Sequence, residues 1–154
     1  FDRVVAHAVQ SLDAYLAHPV LGEPKDIEEK FVVRDFEGNA ILLQGKVDAV
    51  FETSAGLCIV DFKTSSTIKA KDEKHTQQLA FYDLLLRAHE QQTTSARIVQ
   101  VTPDGVREYP IEISEEARAQ FLKILREVIR ELQTGEWREA EASDYDEVLS
   151  LFTE

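Results

Sequence analysis

At 154 residues, with 44% hydrophobic and 30% charged residues, the chain has the composition of one folded domain with a real core, not of a disordered or fibrous segment. Its formal net charge of −12 excludes a protein that coats nucleic acid indiscriminately, which would be basic. No apolar run approaches the ~20 residues of a membrane helix. No secretory signal is visible, so cytoplasmic residence is expected. The single cysteine, Cys58, lies in the apolar run Leu57-Cys58-Ile59-Val60 and is expected to be a small buried hydrophobe. One cysteine cannot form an internal disulfide or hold an iron–sulfur cluster. The chain starts at Phe1, contains no methionine, and reads as helix from its first residues, so it is expected to be a single domain, 1–154, excised from a longer polypeptide.

In chain order, Val4, Val5, Ala8, Val9, Leu12, Tyr15 and Leu16 recur at helical spacing and predict an amphipathic helix over 2–17, ended by His18-Pro19. Pro19 to Asp26 reads as loop. Glu29 to Phe36, with Phe31, Val32 and Val33, reads as a strand ending in a turn at Glu37-Gly38-Asn39. Ala40 to Glu52 and Leu57 to Lys63 read as two strands joined by a short hairpin connection, Thr53-Ser54-Ala55-Gly56. Thr64 to Asp72 is a polar loop. Glu73 to Gln91 is helical, with Leu79, Tyr82, Leu85, Leu86 and Ala88 close to a 3.6-residue period. Ala96 to Val101 and Val106 to Ile113 are strands around the turn Pro103-Asp104-Gly105. Ser114 caps a last helix that stops at Gly135. The order α-βββ-α-ββ-α predicts a mixed α/β (α+β) domain around one sheet.

Charge is unevenly spread. Between Glu136 and Glu154 seven acids face one base, Arg138, so this acidic tail carries −6 of the excess. Between Lys63 and Lys74 the balance reverses, with Lys63, Lys69, Lys71 and Lys74 against Asp72 and Glu73. That stretch is either a solvated loop or a patch that attracts phosphate.

The most informative feature is a pair of acids on neighbouring strands. A hairpin turning about Ser54 and Ala55 places Asp48 almost opposite Asp61, at a Cβ separation of roughly 4.5–5.5 Å, unless a bulge at Gly56 shifts the register. Lys63, two residues beyond Asp61, points to the same face. Opposed like charges on a half-buried sheet are destabilising, so either a bound cation or Lys63 must offset them. Two carboxylates and a backbone carbonyl suit a hard divalent metal. Lys63 could then orient or deprotonate an attacking water, or neutralise developing charge on a phosphate. The competing reading is an ion-pair cluster that protects a sheet edge.

Taken together, several segments resemble one family. Gly45-Lys46-Val47-Asp48 looks like a G-x-x-D segment, Asp61-Phe62-Lys63-Thr64 like D-[FY]-K-T, and Gln78-Leu79-Ala80-Phe81-Tyr82 like Q-x-x-x-Y. Glu29-Lys30-Phe31 resembles an upstream acid at a strand start. In that order and spacing they resemble the RecB-like branch of the PD-(D/E)XK nuclease superfamily, over residues 29–82 and more loosely over the whole chain.

The resemblance implies a restriction-endonuclease-like sheet flanked by helices, with the metal site on the central hairpin. It implies Asp48 and Asp61 as metal ligands assisted by the Phe62 carbonyl, Glu29 (or its neighbour Glu28) as a further acid, and Lys63 as the catalytic lysine. Mg2+ is the implied metal, with Mn2+ able to substitute. Gln78 and Tyr82, one helical turn apart, would steer DNA and support the site; ordinary packing is the other reading. Lys69, Lys71 and Lys74 would add phosphate contacts. A histidine on the first helix, here His7, is a further possible ligand, though a surface or core role suits it equally, since the glycine beside it in the family is missing. Trp137 is expected to plug a helix end rather than stack on a base. The implied function is a Mg2+-dependent DNA nuclease, exonuclease-type, attached to a helicase motor in DNA repair and recombination. The alternatives are a non-catalytic module of the same fold that guides DNA or assembles a complex, and a stand-alone exonuclease.

Overall fold

The computed structural model describes residues 2–18, 23–64 and 73–135. The acidic tail with Trp137, and Lys69 and Lys71, lie outside the described residues. The chain divides into two compact units, Phe1–Phe121 and Leu122–Glu154. The first contains helix α1 (Asp2–Ala17), strands β1 (Pro24–Arg34), β2 (Leu42–Thr53) and β3 (Gly56–Lys63), helix α2 (Glu73–Ala88), strands β4 (Thr93–Thr102) and β5 (Gly105–Ile111), and the first turns of helix α3 (Glu115–Thr134). The described part of the second unit continues α3 to its end, where Gly135, at φ 69°, takes the left-handed turn that terminates it. The element order is the one expected from the sequence.

The five strands lie in the order β1-β2-β3-β4-β5. All neighbours are antiparallel except β3 and β4, which run parallel. A parallel pair cannot be closed by a tight turn, and α2 supplies the crossover. One sheet face carries a buried cluster of Ala49, Phe51, Cys58, Val60, Val99 and Val101, with Tyr15 of α1, Phe62 and Val106 packed on it. Tyr15 meets Phe62 edge-on at 5.5 Å between ring centroids. On the other face Val50, Ile59 and Ile98 are fully buried, as are Leu79, Leu85 and Leu86 of α2, which packs on β1 to β4. Each such side chain contributes on the order of 1.5–3 kcal/mol.

Element edges differ by three residues or more from the sequence expectation in three places. Strand β1 begins at Pro24, not Glu29, because the ladder to β2 extends through Pro24–Phe51 after an irregularity at Asp26. Helix α2 ends at Ala88, not Gln91. Glu90 adopts φ 60°, and the amides of Glu90 and Gln91 return to the carbonyls of Arg87 and Leu86. This is a left-handed helix stop made without glycine, so composition does not announce it. Strand β4 begins at Thr93, where parallel pairing with Leu57 of β3 begins. Ser114 caps α3 as expected, accepting from the Ala117 amide at 3.2 Å.

Helix α1 occupies the predicted residues but does not bury the predicted face. Val4, Val5, Val9, Leu12 and Leu16 are exposed, while Ser11 is buried and Tyr15 half-buried. The helix packs on β4 and β5, and its C-terminal end is tied down where His18 Nε2 lies 3.2 Å from Glu108 on β5.

Candidate active site

Strands β2 and β3 are joined by a two-residue turn, Ser54-Ala55, and pair in unbroken register from Thr53–Gly56 to Ala49–Val60. Gly56 adopts φ 121°, and a Cβ there would meet the Thr94 methyl at 2.6 Å, so the turn requires glycine. The next pair in that register would be Asp48–Asp61, as the sequence predicts. The ladder stops one step short of it. Asp48 instead turns its side chain into the gap, and its Oδ2 accepts the Phe62 amide proton at 2.9 Å. On the other edge of β2 the ladder to β1 skips the same level: Ile27–Ala49 and Glu29–Val47 are paired, and Glu28 between them adopts φ 52°. A left-handed glutamate costs about 1–2 kcal/mol. Asp48 therefore sits at an interruption of both ladders, where the sheet forks between β2 and β3. Strand β3 beyond the fork is held by β4, through Asp61–Ile98, Phe62–Val99 and Lys63–Gln100.

At the fork, Asp61 is buried to 1% exposure. The Lys63 ammonium lies 3.0 Å from its Oδ2 and 3.3 Å from its Oδ1. Only the Oδ1 contact has hydrogen-bond geometry, so Oδ2 is buried against the ammonium's charge without an aligned donor among the described residues. Burial pushes the Asp61 carboxyl up from its ordinary value, Lys63 pulls it back, and the charge of Asp48 adds to the rise.

Lys63 also donates to Gln78 Oε1 at 3.2 Å, and Gln78 Nε2 donates to the Tyr82 hydroxyl at 3.0 Å. The Q-x-x-x-Y stripe of α2 thus faces the fork and engages Lys63 directly. Tyr82 is 8% exposed and turned inward. Burial is the main reason its phenol is pushed above its usual value. The close approach of α2 depends on Gly45. A Cβ there would lie 2.7 Å from Leu85 Cδ1 and 3.1 Å from Phe81 Cε1.

Other expected residues are placed elsewhere. Glu29 is exposed on β1 opposite Val47, and Glu28 pairs with Lys46 at 2.9 Å on the surface. His7 is exposed on α1. Among the described residues no group of three or more histidine, cysteine or acidic side chains is arranged to hold a metal, so neither Glu29 nor His7 joins Asp48 and Asp61 as a third ligand in this structure. Lys74 is exposed in the first turn of α2.

Three residues at or near the site were not singled out from sequence. His75, one turn before Gln78, acts electrostatically on Asp61 and favours its charged form. Its i, i+3 spacing from Gln78 was the available signal. Gln100 lies beside Lys63 in the parallel register, is buried, and accepts the Tyr109 hydroxyl at 3.1 Å. Asp83, next to Tyr82 but pointing away from the fork, is 1% exposed. It binds Arg87 at 2.9 Å, Arg118 at 2.7 Å, and the Thr93 hydroxyl.

The family model of the PD-(D/E)XK nuclease superfamily matches residues 3–145. The chain belongs to this superfamily. PD-(D/E)XK proteins are generally phosphodiester-hydrolysing nucleases that use Mg2+ or Mn2+. Among solved structures, the chain is similar to one described as the crystal structure of SSO0001, with a TM-score of 0.54 and 21% identity over 85% of this chain. That likeness concerns the fold, and the match covers 61% of the other chain. Comparison with curated protein sequences returns no match. Among the described residues, no helix of this PD-(D/E)XK domain is long and apolar enough to cross a membrane.

The donor set at the fork fits the family's metal. Asp61 Oδ2 is a buried carboxylate oxygen without an aligned donor among the described residues, and a second acid adjoins it. Mg2+ is commonly held by one or two carboxylates, with water and substrate phosphate completing its shell. Asp48 and Asp61 are the residues that would hold it.

Proposed function

We propose that this domain is a metal-dependent DNA nuclease of the RecB-like branch, hydrolysing phosphodiester bonds with water as nucleophile. The observation that carries the reading is the convergence of Asp48, Asp61 and Lys63 at the fork between β2 and β3. A divalent cation, when bound, lowers the pKa of a coordinated water and offsets phosphate charge. Asp48 and Asp61 would hold that cation, assisted by the Phe62 carbonyl. Lys63 is anchored by Asp61 and Gln78, which engage two of the three donors of an ammonium; the third would address the attacking water or a phosphate oxygen. Lys74, and Lys69 and Lys71 preceding it in sequence, would attract the DNA backbone. Glu29 would contribute only through movement of β1 or through water. Exonuclease mode and work alongside a helicase motor, in the same polypeptide or complex, follow from the RecB-like resemblance of the four sequence segments. Such a motor would supply most of the DNA affinity that a net charge of −12 does not.

With Mg2+ or Mn2+ the purified chain is expected to degrade DNA, and Asp61→Ala and Lys63→Ala each to reduce the rate by about 10³-fold or more. Undiminished cleavage in both variants would refute the assignment of the site.

A further inference from the structure

A lysine ammonium can only donate hydrogen bonds. Gln78 must therefore present its oxygen, not its NH2 group, to Lys63. A primary amide satisfies that demand in only one orientation, so Lys63 itself selects which end of the amide faces it. The Tyr82 hydroxyl, which can donate or accept, adds the second contact: it accepts from Gln78 Nε2 at 3.0 Å on the far side and keeps the side chain from swinging away from Lys63. Tyr82 is itself fixed. It is 8% exposed, and its ring edge lies 3.6 Å from where a Cβ would stand on Gly45.

We propose that Tyr82 is a positioning residue: its hydroxyl holds the Gln78 side chain in place, and through that amide the Lys63 ammonium beside Asp61. This deepens the nuclease reading and rests on it for its consequence in turnover. It departs from the expectation that Tyr82 steers DNA, since a ring this buried offers little surface to a strand. A carboxylate in place of the amide binds the Lys63 ammonium through charge as well as a hydrogen bond, so the Gln78→Glu background depends less on the tyrosine hydroxyl.

The test is a cycle of Tyr82→Phe and Gln78→Glu in the full chain with Mg2+ and a DNA substrate, folding being checked by thermal melting. Tyr82→Phe is expected to lower kcat roughly tenfold with KM unchanged, the loss of about one hydrogen bond. In the Gln78→Glu background the same change is expected to alter kcat less than about twofold. A rise in KM of similar size in both backgrounds would instead mark direct DNA contact and overturn the proposal.

A second readout does not depend on activity. Nuclear magnetic resonance of the Lys63 side chain should show an ordered ammonium in the starting protein, mobility in Tyr82→Phe, and restored order when Gln78→Glu is added. An equally ordered Lys63 in Tyr82→Phe would overturn the proposal. An inactive starting protein that passes this spectroscopic cycle would remove the nuclease reading while leaving the positioning role in place.

Discussion

Helix α2 buries Leu79, Leu85 and Leu86 completely and holds Asp83 at 1% exposure, whereas α1 leaves Val4, Val9, Leu12 and Leu16 more than half exposed. Both pack on the same sheet. Their sequences suggest the reverse ranking, since α1 has the cleaner apolar stripe and α2 mixes leucines with glutamine, tyrosine, aspartate and arginine. The difference follows from what each helix must do. Helix α2 carries Gln78 and Tyr82 to within hydrogen-bond reach of Lys63, so its rotation and height above the sheet have to be fixed. Leucines set the height against Gly45, and the Asp83 cluster sets the rotation by tying α2 to β4 and to the start of α3. Helix α1 is fastened mainly near its end, by Tyr15 and His18.

If this contrast is correct, substitutions on the two helices should differ sharply in cost. The largest effect is expected at Asp83. Asp83→Ala strips a carboxylate from Arg87 and Arg118 and should destabilise the fold by about 2–4 kcal/mol. That is less than for a fully buried pair, because Arg87 is 38% exposed and can return to water. Denaturant titration would measure it, and a loss below about 1 kcal/mol would mean that the cluster does not fix α2. Gly45→Val comes next. Its side chain collides with Leu85 in a filled core, which should cost about 1–3 kcal/mol and lower turnover as α2 lifts away from Lys63. Full activity in this variant would show that helix height is not critical.

On the α1 side the expected effects are smaller. Burial pushes the Glu108 carboxyl up, but its bonds to Arg97 and His18 outweigh this and hold it below its ordinary 4.5. A depressed acid contributes stability that is present above its unfolded value and lost as pH falls through its folded one. Stability should thus decline below about pH 4.5 more steeply in the native protein than in Glu108→Gln, as melts across pH 3 to 6 would reveal. Parallel curves would rule out this tie as a contributor. Smallest of all, Leu12→Gln should change stability by no more than about 0.5 kcal/mol, because the side chain is already 55% exposed. A large loss would mean that α1 is covered in solution.

The same contrast explains what could be read from the sequence. The element order was legible because apolar periodicity and turn residues mark it, and the level of Asp48 against Asp61 followed from a hairpin turning on Ser54-Ala55. The fork was not legible. It arises because one aspartate bonds to a backbone amide across the strand gap, and no periodic pattern encodes such a bond. Glu90 ends α2 in a conformation that glycine usually adopts, so the helix looked longer than it is. The stripe on α1 predicts a helix, but burial depends on how far the sheet extends beneath it. Asp83 and Arg87 stand at i, i+4 spacing and could have been paired, but their meeting with Thr93 and Arg118 depends on the crossover.

The bond from the Phe62 amide to Asp48 Oδ2 gives one side chain two duties. One oxygen closes the strand gap, and in the proposed site the other would be a cation ligand. Truncating this aspartate to alanine therefore strands a main-chain N–H as well as removing charge, and the resulting loss of activity would mix two causes. Asparagine keeps an acceptor for that N–H while discarding the negative charge, so Asp48→Asn separates metal chemistry from strand geometry and serves as the cleaner inactive control.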